Sequence, residues 1–163
     1  MVSALQSELK QKLPFTSTEQ EAYLSLLRTA DALQTRVEGR LKDFGLTGTQ
    51  YNALRILRGA GAEGLPCREI SDRMIAHDPD ITRLLNRLEA RRLIERRRAR
   101  DDRRVIYASV TAAGLKLLRE LDDPIEKFGQ QMLSHVGQGK LRQLIALLDL
   151  VRCGKASRQA VEL

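Results

Sequence analysis

The stretch that decides the fold is Leu93–Val110, LIERRRARDDRRVIYASV. Its two ends, LIERR and RVIYASV, carry apolar and β-branched residues in the short alternation of strands, with Ile106, Ala108 and Val110 on one side of the second. Between them, Arg96 to Arg104 hold six arginines and two aspartates in nine residues. Two strands around such a turn form a β-hairpin. A hairpin tip cannot bury that much charge, so it is either solvated or laid against a partner.

Upstream of the hairpin the period becomes helical. In AHDPDI, Asp78 is the expected N-cap, Pro79 the first helical residue, and Asp80 lies near the positive helix end. The helix runs from Pro79 to about Arg92. Ile81, Leu84, Leu85 and Leu88 fall on one face, and Thr82, Arg83, Asn86 and Arg87 on the other. A short helix, about Cys67 to Ile75, precedes it with Ile70 and Met74 inward. Before that, a helix starts at Thr47, with Gln50 three residues on, and ends in the glycine-rich loop RGAGAEGLP. Two helices, a turn, an amphipathic helix and an arginine-tipped hairpin, in that order, predict a winged helix-turn-helix.

Long helices flank this unit. Thr18-Glu19-Gln20-Glu21 fits a capping box for a helix carrying Tyr23, Leu27, Ala30, Leu33, Val37, Leu41 and Phe44 and ending near Gly45. Val2 to Leu13, stopped by Pro14, reads as a short arm helix. Downstream, Thr111 caps a helix that Pro124 interrupts or kinks, and Gly137-Gln138-Gly139 separates it from a last one. The expected fold is mostly α with a small β-hairpin wing, and the 163 residues read as a single domain. Residues 1–16 form an arm, 46–111 the winged helix-turn-helix, and 17–45 and 112–153 the flanking helices. The apolar faces of those flanking helices are wider than one small wing domain covers. A homodimer is therefore expected, with Leu141, Leu144 and Leu148 in its seam.

The net charge is +7, and residues 83–104 account for six of it, with ten arginines against four acids. All ten are Arg, although seven lysines occur elsewhere. The planar guanidinium fork matches phosphate and guanine edges, so a focused Arg cluster points to nucleic acid. Asn86 can pair in two-pronged fashion with adenine, and Arg83 and Arg87 with guanine; Asp80 and Thr82 complete the candidate DNA-binding set of this helix. On the wing, Arg96, Arg97, Arg98, Arg100, Arg103 and Arg104 are the candidate DNA contacts. Asp102, an acid within a basic tip, is assigned to holding Arg104 by a carboxylate–guanidinium fork. The plain alternative for each residue is a solvated surface, or a turn-forming Asp.

No run approaches the ~18 apolar residues of a membrane span. The N-terminal MVSALQSELKQKLPF lacks the apolar core of a secretory signal, so a cytoplasmic protein without a membrane partner is expected. Cys67 and Cys153 form no CxxC and have no His at zinc-ligand spacing. Cys67 follows Pro66 at a helix start, a position that favours a thiolate. His77 and His135 lack the company of a catalytic triad or metal site. With no nucleophile–base pair, ligand cluster or phosphate loop, neither an enzyme activity nor a metal or cofactor is expected.

Thr82–Gly114, TRLLNRLEARRLIERRRARDDRRVIYASVTAAG, resembles the signature of MarR-type transcriptional regulators. That signature has a recognition helix ending in Leu-Glu, a Leu-Ile/Val-x-Arg strand, a wing Asp-x-Arg (here Asp102 and Arg104), and a Thr-x-x-Gly (Thr111 and Gly114). The likeness covers roughly residues 17 to 153. One position departs from it: Arg92 stands where the family has glycine before Leu93, so Arg must adopt a left-handed backbone or the helix must end differently. The resemblance implies a homodimer with interlocked terminal helices and a transcriptional regulator, commonly a repressor, on a pseudo-palindromic double-stranded DNA operator. It places the recognition helix in the major groove and Arg104 in the adjacent minor groove. It also implies release by a small aromatic or phenolic effector or by an oxidant. The peroxide-sensing branch carries its cysteine in the first long helix, where this chain has none. Tyr23 and Tyr51 are candidates for an effector pocket, with core packing the simpler reading of their spacing. A winged-helix interaction or RNA-binding module without operator specificity is the alternative function.

Overall fold

The computed structural model describes residues 3–76, 80–99 and 104–154. Its elements are α1 (Ala4–Glu8), α2 (Thr18–Lys42), α3 (Gly48–Ala60), β1 (Leu65–Pro66), α4 (Cys67–Arg73), α5 (Ile81–Ala90), β2 (Ile94–Arg98), β3 (Ile106–Val110), α6 (Ala112–Leu133), a 3-10 turn (Ser134–Val136) and α7 (Gln138–Cys153). The chain divides into two compact units, residues 1–121 and 122–163.

Caps explain most helix starts. At α3 the Thr47 hydroxyl accepts from the Gln50 N–H, and the Gln50 side chain accepts from the Thr47 N–H, the reciprocal box the sequence predicts. At α2 the cap lies one residue earlier than expected. Ser17 accepts from the Gln20 N–H and Thr18 is already helical. At α5 the cap is Asp80, whose Oδ1 accepts from the Arg83 N–H at 2.9 Å, and the helix is described from Ile81. A carboxylate directly before the first inward residue reaches the third amide of the helix, which satisfies a donor that would otherwise be orphaned. His77, Asp78 and Pro79 lie outside the described residues.

Three ends differ from expectation. The arm helix stops at Glu8, because Lys10 turns left-handed (φ 52°) and Gln11 N–H donates back to Gln6 O at 3.0 Å. Pro124 does not interrupt α6. Proline removes a single donor, and the hydrogen-bonded turns on either side carry the helix through it. Gln138 and Gly139 belong to α7, so only Gly137, at φ 81°, marks the break.

The sheet is antiparallel in the order β1-β3-β2. The hairpin pairs Ile94 with Val110 and Arg98 with Ile106, and Ala99 N–H donating to Val105 O extends it. The two-residue β1 was not visible as a strand in the sequence. Pro66 cannot donate to a ladder, and an edge position is where sheets accept it.

In the first unit Leu41, Leu54, Leu57, Ile70, Leu85, Leu88, Ile94, Leu118 and Leu121 are fully buried, joining α2, α3, α4, α5, β2 and α6 in one core. Asn52 Oδ1 accepts from Ile75 N–H at 2.8 Å, tying the loop after α4 to α3. In the second unit no described residue is buried. The apolar stripe expected along α2 exists, but Leu41 is its only buried member.

Arg92 settles the departure noted in the sequence by adopting the left-handed backbone, at φ 57°. Arg92 N–H donates to Glu89 O at 2.8 Å and Leu93 N–H to Leu88 O at 3.0 Å, the paired closure of a helix end that normally uses glycine. A side chain there costs about 1 kcal/mol relative to glycine. Arg92→Gly is therefore expected to raise the unfolding free energy by about 0.5–1 kcal/mol in urea titrations, with an unchanged or lowered value counting against stored strain at this turn.

Candidate nucleic-acid interface

Helix α5 is divided cleanly by its contacts. Leu84, Leu85 and Leu88 are buried, whereas Thr82, Arg83, Asn86 and Arg87 are exposed. The outward set matches the face assigned from the sequence. Asp80 is exposed too, with its carboxylate turned to the helix amide of Arg83. It caps the start of α5.

The wing arginines separate into two kinds. Alternation along β2 from the buried Ile94 sends Arg96 to the core side, opposite Ala108. There its Nε donates to Glu89 Oε2 at 3.0 Å, and its Nη2 donates to Asn86 Oδ1 at 2.6 Å and also pairs with Glu89. Arg97 points the other way. Its guanidinium lies over the ring of Tyr107, its cross-strand partner, at 5.0 Å, and Nη2 donates to Glu63 O at 3.0 Å. Both are candidate DNA contacts from the sequence, and both make contacts that hold the hairpin to its surroundings. Arg98 is exposed, and Arg104 is exposed in the turn that leads into β3. Arg100, Asp102 and Arg103 lie outside the described residues, and so does the proposed Asp102–Arg104 fork.

A third arginine of the basic cluster is also structural. Arg91 Nη1 donates to Gly45 O at 2.5 Å and Nη2 to Phe44 O at 3.5 Å. These carbonyls close the C-terminal end of α2, where a cation complements the helix dipole. The end of the reading helix is thereby tied to the corner between α2 and α3. Sequence composition alone does not separate such arginines from those that face outward. For Arg96 a signal existed in the strand period, which places the second residue after a buried Ile on the inward side.

Tyr51 is buried, consistent with core packing, and Tyr23 is 61% exposed. Tyr23 lies 19 residues before the end of α2, about 28 Å along the helix. On α7, Leu141 and Leu148 are half-buried and Leu144 is exposed. Burial pushes the Cys67 thiol above the ordinary range, with the Arg96 charge opposing only in part, so the thiolate that a helix start would favour is not favoured here. Cys153 is exposed. Among the described residues no group of acids, histidines and cysteines could hold a metal ion, and no helix is long and apolar enough to cross a membrane.

Arg96 holds the Glu89 carboxyl below its usual range through its hydrogen bonds, and Glu89 raises Arg96 in turn. A carboxylate with a lowered folded-state pKa adds stability that is fully present above its unfolded value and is lost as pH falls through the folded one. Glu89 keeps 38% of its side chain exposed, so solvent screening limits the effect to about 1 kcal/mol or less. The wild-type chain should melt higher than Glu89→Gln by a constant margin above about pH 5, and the margin should close as pH drops below about 4. A margin that persists unchanged in acid would show that the ion pair contributes nothing.

The profile of the MarR family matches residues 44–105, from just after α2 to just before β3. A MarR transcription factor from Planctomyces limnophilus, solved by crystallography, is 42% identical with a TM-score of 0.65, and the match covers 84% of this chain and 99% of that one. The regulator FarR of Neisseria gonorrhoeae is 25% identical over 136 residues, 83% of this chain and 92% of its own. The fold is also shared with NadR, solved in complex with 4-hydroxyphenylacetate, at 24% identity and a TM-score of 0.66 over 85% of this chain and 97% of that one. The winged helix-turn-helix, its outward-facing reading helix and these matches agree: the chain belongs to the MarR family of winged-helix, DNA-binding transcriptional regulators.

Proposed function

We propose that this regulator is a homodimeric, operator-specific repressor that reads double-stranded DNA with α5 and its wing and is released by a small aromatic effector. The observation that carries the DNA reading is the outward face of α5. Thr82, Arg83, Asn86 and Arg87 are all exposed, on a helix whose other side is locked into the core by Leu84, Leu85 and Leu88. Side chains on a rigid helix present a fixed pattern of donors to base edges, while Arg98 and Arg104 flank that face from the wing. Arg104 is the candidate for the narrow minor groove, where the potential is most negative.

Homodimerisation is supported by what a single chain leaves uncovered. Leu144, Ile145, Leu147, Leu150 and Val151 on α7 are 42–68% exposed, and Tyr23, Leu26 and Leu27 on α2 are 37–61% exposed. Faces of that size on a soluble regulator call for a second apolar surface, and a second copy supplies one by symmetry. Two-fold symmetry sets the reading helices about 34 Å apart, so half-sites should be centred about 10 base pairs from each other. Effector release rests on less. NadR was solved with an aromatic acid, and Tyr23 offers an exposed phenol on α2.

The test is selection of bound duplexes from a random pool. A pseudo-palindrome is expected; a single asymmetric site would overturn the dimeric docking, and no preference over bulk DNA would favour an interaction or RNA-binding module. On the selected duplex, Arg83→Ala should cost about 1–3 kcal/mol and relax preference at one position per half-site. Arg98→Ala should weaken specific and non-specific duplexes alike and lower the salt slope by about one unit. Equal behaviour of the two variants would place Arg83 on the backbone. In sedimentation experiments Leu144→Asp should shift the dimer toward folded or partly folded monomer, and a variant that stays fully dimeric would remove α7 from the seam. Among phenols and aromatic carboxylates, at least one should raise the melting temperature and weaken DNA binding together.

A further inference from the structure

Asn86 and Glu89 are three residues apart on α5 and so share one side of the helix, and both meet the same guanidinium. Arg96 reaches them from β2 with only 21% of its side chain exposed. Guanidinium nitrogens donate and never accept. The atom of the Asn86 amide that faces Arg96 must therefore be the oxygen, and the amide nitrogen must be turned away from it. An unsupported asparagine on an exposed helix face would sample both amide orientations, and binding would have to select one at an entropic cost.

Resting on the reading of α5 as the DNA-reading helix, we infer that Arg96 is a positioning residue for sequence readout, which sets the Asn86 amide so that its N–H donors meet the base edge. Glu89 neutralises and anchors the guanidinium, so Arg96 acts through Asn86 and not as a phosphate contact. The favoured base at that position presents an acceptor, a purine N7 or thymine O4. Adenine can in addition donate from its amino group to the second lone pair of Oδ1. Cytosine is disfavoured, because its major-groove edge offers only an amino donor and leaves the Asn86 N–H without an acceptor.

The experiment measures binding of the wild type, Arg96→Lys, Glu89→Gln, Asn86→Ala and the Arg96→Lys/Asn86→Ala double variant to every single-base-pair variant of the selected duplex. Lysine keeps the charge but cannot span both partners with a planar fork. The wild type should reject cytosine at one position per half-site, and Arg96→Lys should reduce the preference at that position about tenfold while leaving the others. In the Asn86→Ala background the same lysine should change nothing further there. Glu89→Gln should produce a smaller loss at the same position, and it carries the test if thermal melts show Arg96→Lys unfolded. Full preference retained in the folded variants, or an equal loss with Asn86 already removed, would overturn the inference while leaving the DNA reading intact. A wild type that selects no duplex would overturn the DNA reading itself, and this inference with it.

Discussion

Leu93 is held on both sides of its peptide. Its N–H donates to Leu88 O at 3.0 Å, closing α5, and its carbonyl accepts from Thr111 N–H at 3.0 Å, where β3 hands over to α6. The same carbonyl lies so close to Gly114 that an added Cβ would stand 2.3 Å away. Thr111 completes the joint by donating its hydroxyl to Arg92 O at 2.7 Å and accepting from Gly114 N–H at 3.1 Å. Reading helix, wing and α6 thus radiate from one backbone junction. The strained backbone of Arg92 is tolerated because its neighbours are fixed on every side. It also explains why Thr-x-x-Gly follows the wing: the threonine caps the helix, and the glycine admits the carbonyl that fixes it.

Around that junction the basic cluster divides its labour. Charge density draws a polyanion, but a strand of arginines next to a helix would also repel or swing unless some were held. Arg91 is spent on the carbonyls that end α2, Arg96 on Glu89 and Asn86, and Arg97 on Tyr107 and Glu63. Each tie removes a degree of freedom from the surface left to meet DNA. The outward arginines of α5 and the wing are therefore mounted on a framework that other arginines have set. Counting positive residues does not reveal how many of them are tied within the fold.

The other physical limit is apolar cover. The first unit completes a core of its own, from α2 through to Leu121. From residue 122 onward the described chain buries nothing, although α7 is rich in Leu, Ile and Val. Amphipathic helices of this composition gain stability from packing, not from propensity alone. The helices flanking the winged unit leave much of their apolar surface exposed in the single chain.

Local chemistry was legible in the sequence wherever one residue type does one thing. The Thr47–Gln50 box, the Thr111 cap, the inward leucines of α5, its outward polar face and the two strands of the wing all follow from period and capping. Choices between adjacent equivalents were not legible. Ser17 and Thr18 can both cap, as can Asp78 and Asp80, and only the register of the packed helix selects Ser17 and Asp80. The short β1 was hidden because two residues carry no period, and it exists only where β3 supplies a partner. Tertiary structure alone decided which arginines became struts and which way the Asn86 amide faces. The reason is physical: a guanidinium has the same charge and the same donors in every context, and its role is set by the acceptors that folding brings within about 3 Å. For Arg96 those acceptors lie seven and ten residues back in the chain, on another element: the strand period turns its side chain inward, but only folding brings Glu89 and Asn86 to it.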